Sequence, residues 1–276
     1  MDIPFHKMQG IGNDFIVVEE RACPGEDLSA LAVALCARRF SIGSDGLLVI
    51  DRTENADLGM RMFNPDGTPD FCGNGLRCVA RYGADVMGLG PGPLTIATAS
   101  GIRTARVAAD GSGLVETDMQ PPDFRPDRIP MDVPDDRAVD YPLTIDGETL
   151  TVTSLSTGTA HTVIFVEALP DDEPFRKLSA LIADHPLYPL RTSVLWTRVE
   201  GADRLSLRIW ERGIGETLGC GTGACAAMAA ARVRGCVDAD VIVGSPGGEL
   251  QISWDGGTAM TQAGPAAYVY DGIVRR

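Results

Sequence analysis

A short cysteine-glycine motif occurs twice in this chain, and its two copies divide the chain into halves. The motif CGNG begins at Cys72, and CGTG begins at Cys220, 148 positions later. At the same offset, the apolar segment Phe15–Glu19 aligns with Val163–Glu167. Matches in one order at one offset are typical of an internal duplication. The sequence therefore predicts two homologous domains, each with its own cysteine.

The boundary between the halves is expected in a stretch rich in proline and aspartate, at 120–136, or just before it. We assign residues 1–119 to the half carrying Cys72 and residues 120–276 to the half carrying Cys220. The full length of 276 residues also fits two modest domains better than one.

Each half is predicted to consist of short strands, mostly antiparallel, and one well-defined helix. The helix follows the cysteine in both halves, over Gly75–Tyr82 in the first and Ala224–Arg232 in the second. Turns rich in glycine and aspartate separate the apolar runs, as expected for hairpins. The predicted fold class is α+β, with two pseudo-symmetric domains.

Charge and hydropathy exclude two classes of partner. The formal net charge is −14, so phosphate neutralisation of the kind used by nucleic-acid binders is not expected. No apolar run approaches the roughly 20 residues of a transmembrane helix. The first residues lack the basic and apolar pattern of a secretory signal. We therefore expect a cytoplasmic protein without nucleic-acid or membrane partners.

The residues that commonly hold cofactors or metals are scarce. The seven cysteines are an odd number, and the three histidines are not spaced from them like zinc ligands. The chain has only two lysines, Lys7 and Lys177, and pyridoxal phosphate requires one as a Schiff base. We predict no cofactor and no metal.

The glycines after Cys72 and Cys220 let the chain turn tightly into a helix, where unpaired backbone N–H groups face outward. Such groups bind anions and favour a thiolate. Asn74 and Thr222 are predicted to cap the two helices. The alternative is that both turns are simple connections and both cysteines are packing residues.

If a pseudo-twofold axis relates the halves, the two cysteines face each other across the cleft between the domains. One thiolate would then remove a proton from a carbon, and the opposite thiol would return one to the other face. Together, these two proton transfers invert a stereocentre. A cysteine hydrolase needs one such site and a histidine, so the repeated motif favours inversion.

Five segments carry a family resemblance that extends through nearly the whole chain. They are Gly12-Asn13-Asp14-Phe15, Phe63-Asn64-x-Asp66-Gly67, Cys72-Gly73-Asn74-Gly75-x-Arg77, Glu211-Arg212-Gly213-x-Gly215-Glu216-Thr217 and Cys220-Gly221-Thr222-Gly223. Together they closely resemble the diaminopimelate epimerase family of cofactor-independent, two-cysteine racemases and epimerases. The resemblance implies two similar domains, each a barrel-like sheet around a central helix, and a homodimer.

The resemblance also implies roles for residues of this chain. Cys72 and Cys220 are the implied acid/base pair, with His161 and Glu211 as their partners. The implied substrate-binding residues are Asn13, Asn64, Gly73, Asn74, Thr159, Ser193, Glu211, Arg212, Gly221 and Thr222. From the residues alone, the simpler interpretations are that His161 caps a strand, that Asn64 is a turn residue, and that Glu211 and Arg212 are a solvated charge pair.

Two positions depart from the family pattern. Thr159 replaces the asparagine of a Gly-Asn-Pro-His segment, and Ser193 replaces another asparagine. Both asparagines help to hold the far end of diaminopimelate, and a hydroxyl lacks the paired donor and acceptor of an amide. Diaminopimelate is the expected substrate, in lysine and peptidoglycan-precursor biosynthesis. The alternatives are a racemase of another amino acid, such as histidine, and a catalytically silent amino-acid-binding protein.

Overall fold

The computed structural model describes residues 2–134 and 136–275, which form two compact units. Unit 1 comprises Met1–Asp118 and Ala263–Arg276, and unit 2 comprises Met119–Gln262. The division at Asp118 lies one residue from the predicted boundary. The C-terminal segment differs from the prediction, because it belongs to the first unit and not to the second.

Unit 1 contains two α-helices and a set of short strands. Its elements are β1 (Asp2–Gly10), β2 (Asn13–Glu19), α1 (Leu28–Cys36), β3 (Gly46–Asp51), β4 (Leu58–Phe63), β5 (Pro69–Asp70), α2 (Gly73–Asp85), β6 (Gly92–Thr98), β7 (Gly101–Val107), β8 (Leu114–Met119) and, from the end of the chain, β18 (Ala267–Arg275). A short 3₁₀ helix spans Glu20–Ala22.

The elements of unit 2 are β9 (Tyr141–Ile145), β10 (Glu148–Ser156), β11 (Ala160–Phe165), α3 (Asp172–Ala183), β12 (Ser193–Gly201), β13 (Arg204–Glu211), β14 (Gly215–Thr217), α4 (Gly221–Val233), β15 (Asp240–Ser245) and β16 (Gly248–Trp254). From β10 onward, unit 2 has the same order of elements as unit 1 has from β1. A second 3₁₀ helix spans Pro126–Arg128, and β17 (Met260–Pro265) spans the division between the units.

Strand pairing repeats between the units. In unit 1 the pairs β1–β2, β3–β4, β4–β5 and β6–β7 are antiparallel, and β2–β3 and β4–β6 are parallel. In unit 2 the pairs β10–β11, β12–β13, β13–β14 and β15–β16 are antiparallel, and β11–β12 and β13–β15 are parallel. The α+β prediction is confirmed. The sequence did not indicate the parallel pairs, each of which needs a crossover that a helix supplies.

The C-terminal strand explains the composition of unit 1. In unit 2, β10 pairs on one side with β9, the strand directly before it in the chain. In unit 1 the corresponding strand β1 pairs instead with β18, from Asp2 opposite Arg275 to Gln9 opposite Ala267. The last strand of the chain therefore takes in unit 1 the place that β9 takes in unit 2.

A helix buried along nearly its whole length forms the centre of each unit. In α4, every residue from Ala224 to Ala231 is buried, and most of them are alanines. A helix that is apolar all round requires cover on every side, and its small side chains let the surrounding strands approach closely. In unit 1, α2 is buried from Asn74 to Ala80 and packs in a hydrophobic cluster with side chains of the surrounding strands.

None of the helices in the described residues is long and apolar enough to cross a membrane.

Candidate active site

Both motif cysteines occupy the position just before a helix. Cys72 is the N-cap residue of α2 and Cys220 that of α4, and both have extended backbone angles. The predicted caps Asn74 and Thr222 are therefore wrong, since each is the second residue of its helix. The helices begin earlier than predicted because the motif glycines adopt helical geometry and extend the first turn. Each cysteine thus lies at the positive end of its helix, and the sulfur of Cys220 accepts from one of the N–H groups there.

The last glycine of each motif allows the helix to approach a neighbouring strand. A Cβ atom on Gly75 would lie 3.0 Å from Cδ2 of Leu48 in β3, and one on Gly223 would lie 3.0 Å from Cδ2 of Leu195 in β12. Such contacts are shorter than packed side chains normally make. The repeated glycine and leucine therefore place each helix start at the same depth against its sheet.

Gly73 and Gly221, the first helical residues, have different surroundings. A Cβ on Gly221 would lie 2.9 Å from Oε1 of the buried Gln262, which donates to the Gly221 carbonyl at 2.7 Å. A Cβ on Gly73 would meet no described atom within 4 Å. The start of α2 is therefore open beside Gly73, whereas the start of α4 is braced by a side chain.

The sulfur of Cys220 faces hydrogen-bond donors. The backbone N–H of Gly223 donates to Sγ at 3.4 Å, and Oγ1 of Thr222 lies 3.4 Å from the same sulfur. Thr157 holds the motif in place by donating to the Thr222 carbonyl at 2.9 Å. A sulfur that accepts from an N–H group at a helix start is favoured as a thiolate.

Two hydroxyl groups connect this cysteine with His161. Oγ1 of Thr159 lies 2.9 Å from Nε2 of His161 and 3.4 Å from Oγ1 of Thr222. The chain of polar atoms therefore runs from Cys220 through Thr222 and Thr159 to the imidazole. Burial, together with the charge of Arg212, lowers the pKa of His161 to about 3, so the imidazole is neutral near pH 7.

Ser193, Glu211 and Arg212 meet at the ends of two strands. Ser193 lies opposite His161 in the parallel pair β11–β12, and its hydroxyl accepts from the Arg212 N–H at 3.1 Å. Glu211 accepts from the Thr217 hydroxyl at 2.6 Å, and the Arg212 side chain donates to the Leu190 carbonyl at 3.2 Å. Each of these two side chains thus has a hydrogen-bond partner of its own within the fold.

The sulfur of Cys72 has different surroundings. Its Sγ donates to Oδ1 of Asn13 at 3.3 Å, and Nδ2 of Asn74 donates to the same oxygen at 3.2 Å. Nδ2 of Asn13 donates to Oδ2 of Asp45 at 2.8 Å. Three residues of the sequence prediction, Asn13, Cys72 and Asn74, therefore form one hydrogen-bonded group.

Two further residues of this group were not predicted from the sequence. Arg77 is fully buried and donates to Oδ1 of Asn74 at 2.6 Å. Asp45 accepts from Asn13 and from Arg38, the latter at 2.7 Å. Arg77 belongs to the motif that carried the family resemblance, and Asp45 lies in a turn of the form Gly-Ser-Asp-Gly. Their residue types gave no sign of these contacts, because partners far apart in sequence are brought together only by the fold.

Asn64 lies in a turn between β4 and β5. Its side chain donates to Oγ1 of Thr68 at 3.1 Å and to Oδ2 of Asp70 at 3.2 Å. These contacts are local to the turn, as expected if Asn64 is a turn residue.

Lys7 takes part in a cluster of charged residues. Lys7 is buried, donates to the Gly43 carbonyl and pairs with Asp14 at 2.6 Å. Desolvation opposes ionisation of Asp14, but hydrogen bonds from Arg38 and Lys7 outweigh it and lower its pKa. Within residues 2–134 and 136–275, no three His, Cys, Asp or Glu side chains group as metal ligands.

Known proteins resemble this chain along nearly its entire length. The family model described as diaminopimelate epimerase matches residues 5–124 and 153–269. A diaminopimelate epimerase of Moorella thermoacetica is 42% identical over 277 residues, covering 97% of this chain and 98% of the relative. One of Desulfitobacterium hafniense is 38% identical over 274 residues, covering 97% and 96%.

A solved structure shows the same fold at low sequence identity. A phenazine biosynthesis protein of the PhzF family from Bacillus anthracis superimposes with a TM-score of 0.68 at 20% identity, covering 100% of both chains.

Proposed function

Since this chain belongs to the diaminopimelate epimerase family and is an isomerase, we propose that it inverts one α-carbon of diaminopimelate by moving protons between Cys72 and Cys220. The observation that carries this proposal is the repeated placement of a cysteine as the N-cap of a central helix, once in each unit. The reaction converts the LL isomer into the meso isomer or the reverse.

The substrate is inferred from the relatives. Proteins 37–42% identical over nearly the full chain carry the name diaminopimelate epimerase. That similarity favours diaminopimelate over histidine or another amino acid. The two cysteines also favour an enzyme over a silent binding protein, because binding alone would need only the amide donors.

In the proposed mechanism, one sulfur acts as base while the other acts as acid. The thiolate takes the α-proton and becomes a thiol, and the opposite thiol gives its proton to the other face of the carbon. The substrate α-carboxylate would be held by N–H groups at the helix starts, at Gly73 with Asn74 and at Gly221 with Thr222. A carboxylate held there would also stabilise the charge that develops as the proton leaves.

The partners of the two sulfurs have separate proposed roles. His161, neutral and connected through Thr159 and Thr222, would orient the hydrogen bonds around Cys220. Glu211 is proposed, like His161, as a partner of the cysteines in proton transfer. Asn13, Asn64 and Arg212 are proposed to contact the amino and carboxylate groups of the substrate, and Thr159 and Ser193 its far end.

The cellular context is inferred from the family. We expect a homodimer in the cytoplasm that supplies meso-diaminopimelate for lysine and peptidoglycan precursors. No cofactor or metal takes part in the proposed reaction, since both proton-transfer groups belong to the chain itself.

The decisive experiment is α-proton exchange in deuterated water. Purified protein is incubated with LL-diaminopimelate and with a panel of L-amino acids that includes histidine, and deuterium at the α-carbon is followed by mass spectrometry. We expect exchange and formation of the meso isomer with diaminopimelate. Exchange with histidine alone would overturn the substrate assignment, and no exchange with any amino acid would overturn the enzyme assignment.

A further inference from the structure

The two cysteines form opposite kinds of hydrogen bond. Sγ of Cys220 accepts from the Gly223 N–H, which completes a helix cap. Sγ of Cys72 donates to an amide oxygen of Asn13, and among the described residues the structure records no capping hydrogen bond to its side chain. A hydrogen-bond acceptor next to the sulfur favours the thiol, which can donate to it. A hydrogen-bond donor next to the sulfur favours the thiolate, which can accept from it. The two helix starts thus have similar backbones, but their hydrogen bonds favour a thiol at Cys72 and a thiolate at Cys220.

The orientation of Asn13 is determined from both of its ends. Arg77 has only donors, so its contact at 2.6 Å requires the oxygen of Asn74 to face it. The amide nitrogen of Asn74 then faces Asn13 and donates to Oδ1. At the other end, the carboxylate of Asp45 has only acceptors and requires the Asn13 nitrogen to face it. Both constraints direct Oδ1 of Asn13 toward Cys72.

We propose that Arg77 and Asp45 are positioning residues that hold Cys72 as the resting thiol, leaving Cys220 as the resting thiolate. This inference rests on the proposed function, since it assigns the starting protonation of that same pair of cysteines. Arg77 acts through Asn74 and Asn13, and Asp45 acts through Asn13 alone. Neither residue contacts the Cys72 sulfur in the recorded hydrogen bonds.

The charges around Cys72 do not decide its protonation by themselves. Arg77 on α2 would favour a thiolate, whereas the carboxylate of Asp45, in the turn before β3, opposes it. Arg38 pairs with both Asp45 and Asp14, and Lys7 pairs with Asp14 at 2.6 Å. Three cations, Arg77, Arg38 and Lys7, thus stand against two carboxylates, so the charges of this cluster do not favour a thiol, and the feature that does is the Asn13 oxygen that accepts from the Cys72 sulfur. Near Cys220, His161 is neutral and does not change the balance.

The proton balance of a turnover follows directly. From the resting state, Cys220 removes the α-proton and becomes a thiol, while Cys72 loses its proton to the opposite face and becomes a thiolate. The enzyme then holds the reversed pair, which is ready for the opposite isomer. Before it accepts the first isomer again, Cys72 must regain a proton and Cys220 must release one.

The test measures each cysteine separately in the protein without substrate. Iodoacetamide is added over a range of pH, and alkylation of the Cys72 and Cys220 peptides is quantified by mass spectrometry. The midpoint of each profile reports the thiolate fraction, while access to the sulfur changes only the maximal rate. We expect the midpoint for Cys72 to lie about one to two pH units above that for Cys220. Equal midpoints, or the reverse order, would overturn the proposal.

Asp45→Asn tests the positioning role without emptying a buried site, because the Asp45 side chain is partly exposed. An amide at this position can donate to Asn13, which allows Asn13 to turn and present its nitrogen to Cys72. We expect the Cys72 midpoint to fall by about one unit, with that of Cys220 unchanged. Loss of a negative charge would lower the midpoint as well, so Asp14→Asn is the matched control: it removes the same charge from the same Arg38 cluster. Circular dichroism verifies that both variants are folded.

The two variants separate the outcomes. A fall in Asp45→Asn that exceeds the one in Asp14→Asn supports the positioning role, and equal falls would show an effect of charge alone and overturn it. Alkylation needs no substrate, so this result is independent of the deuterium experiment. A protein that exchanges α-protons but has equal midpoints refutes the inference and leaves the proposed function in place.

Discussion

The hydroxyl oxygen of Thr159 lies 2.9 Å from Nε2 of His161. The imidazole is buried, so this threonine supplies a hydrogen bond that solvent does not. The same hydroxyl lies 3.4 Å from that of Thr222, which in turn lies 3.4 Å from the Cys220 sulfur. Thr159 therefore connects the imidazole with the Cys220 sulfur, at a position where the family resemblance leads us to expect an asparagine. This double contact makes it the most informative single position for mutagenesis.

Thr159→Val removes this hydroxyl while keeping the shape of the side chain. We expect kcat to fall about ten-fold, because the buried imidazole loses its hydrogen-bond partner at Nε2. Thr159→Ser keeps the hydroxyl and serves as the control, with activity close to that of the unmodified protein. Steady-state epimerisation assays measure both, and equal activity of the two variants would show that the hydroxyl has no role.

The double variant Thr159→Asn with Ser193→Asn tests substrate choice. If these residues line the region around the far end of the substrate, amide groups should hold a second amino-acid head group better than hydroxyls do. Each added hydrogen bond to a charged group is worth about 1.5–3 kcal/mol. We expect kcat/KM for diaminopimelate to rise relative to other amino acids. If the unmodified protein already prefers diaminopimelate strongly and the double variant shows no gain, other residues hold the far end.

Cys72→Ala and Cys220→Ala test the two-base scheme. Each variant should lower the turnover by at least about 100-fold, since inversion needs an acid on one face of the carbon and a base on the other. Thermal unfolding should show that both variants remain folded. If either variant kept more than about a hundredth of the turnover, the scheme with two essential sulfurs would be wrong.

His161 predicts a pH dependence of stability. Burial lowers its pKa to about 3, whereas an unfolded histidine has a pKa of about 6.5. Between these values the unfolded chain binds a proton that the folded chain does not, so the free energy of unfolding decreases as pH falls below about 6.5. The slope due to this residue approaches about 1.4 kcal/mol per pH unit, and above about 6.5 the residue contributes none.

Urea unfolding between pH 7 and 4.5 measures this slope, with His161→Gln as the comparison. The variant should lose the histidine's part of the decrease while keeping the part that arises from carboxylates such as Asp14. Identical slopes in the two proteins would mean that His161 takes up its proton in the folded state.

The internal repeat was the most informative sequence feature because it is a property of the whole chain. It places Gly75 against Leu48 and Gly223 against Leu195 in the same way. Local patterns failed where pairing is not local. The parallel pairs need partners separated by a helix, and no local signal identifies them.

Around the candidate site, the motifs led to residues that the structure joins by hydrogen bonds, such as Cys72 with Asn13 and Cys220 with Thr222, whereas the predicted helix caps were misplaced by two residues. The role of Arg77 was not recognisable from its residue type, because a buried arginine and a solvated one look alike in a sequence. Asp45 and Asn13 are 32 positions apart and meet only in the folded chain.

The pairing of β1 with β18 determines when each half of this protein can mature during its synthesis. All of unit 2, Met119–Gln262, leaves the ribosome before β18 does, and its strands have their own partners nearby in the chain. The strand β1 emerges at the beginning and has to wait until Ala267–Arg275 is translated to complete its pairing. The half that is made first is therefore the half that is finished last, and nascent unit 1 carries an open strand edge throughout elongation.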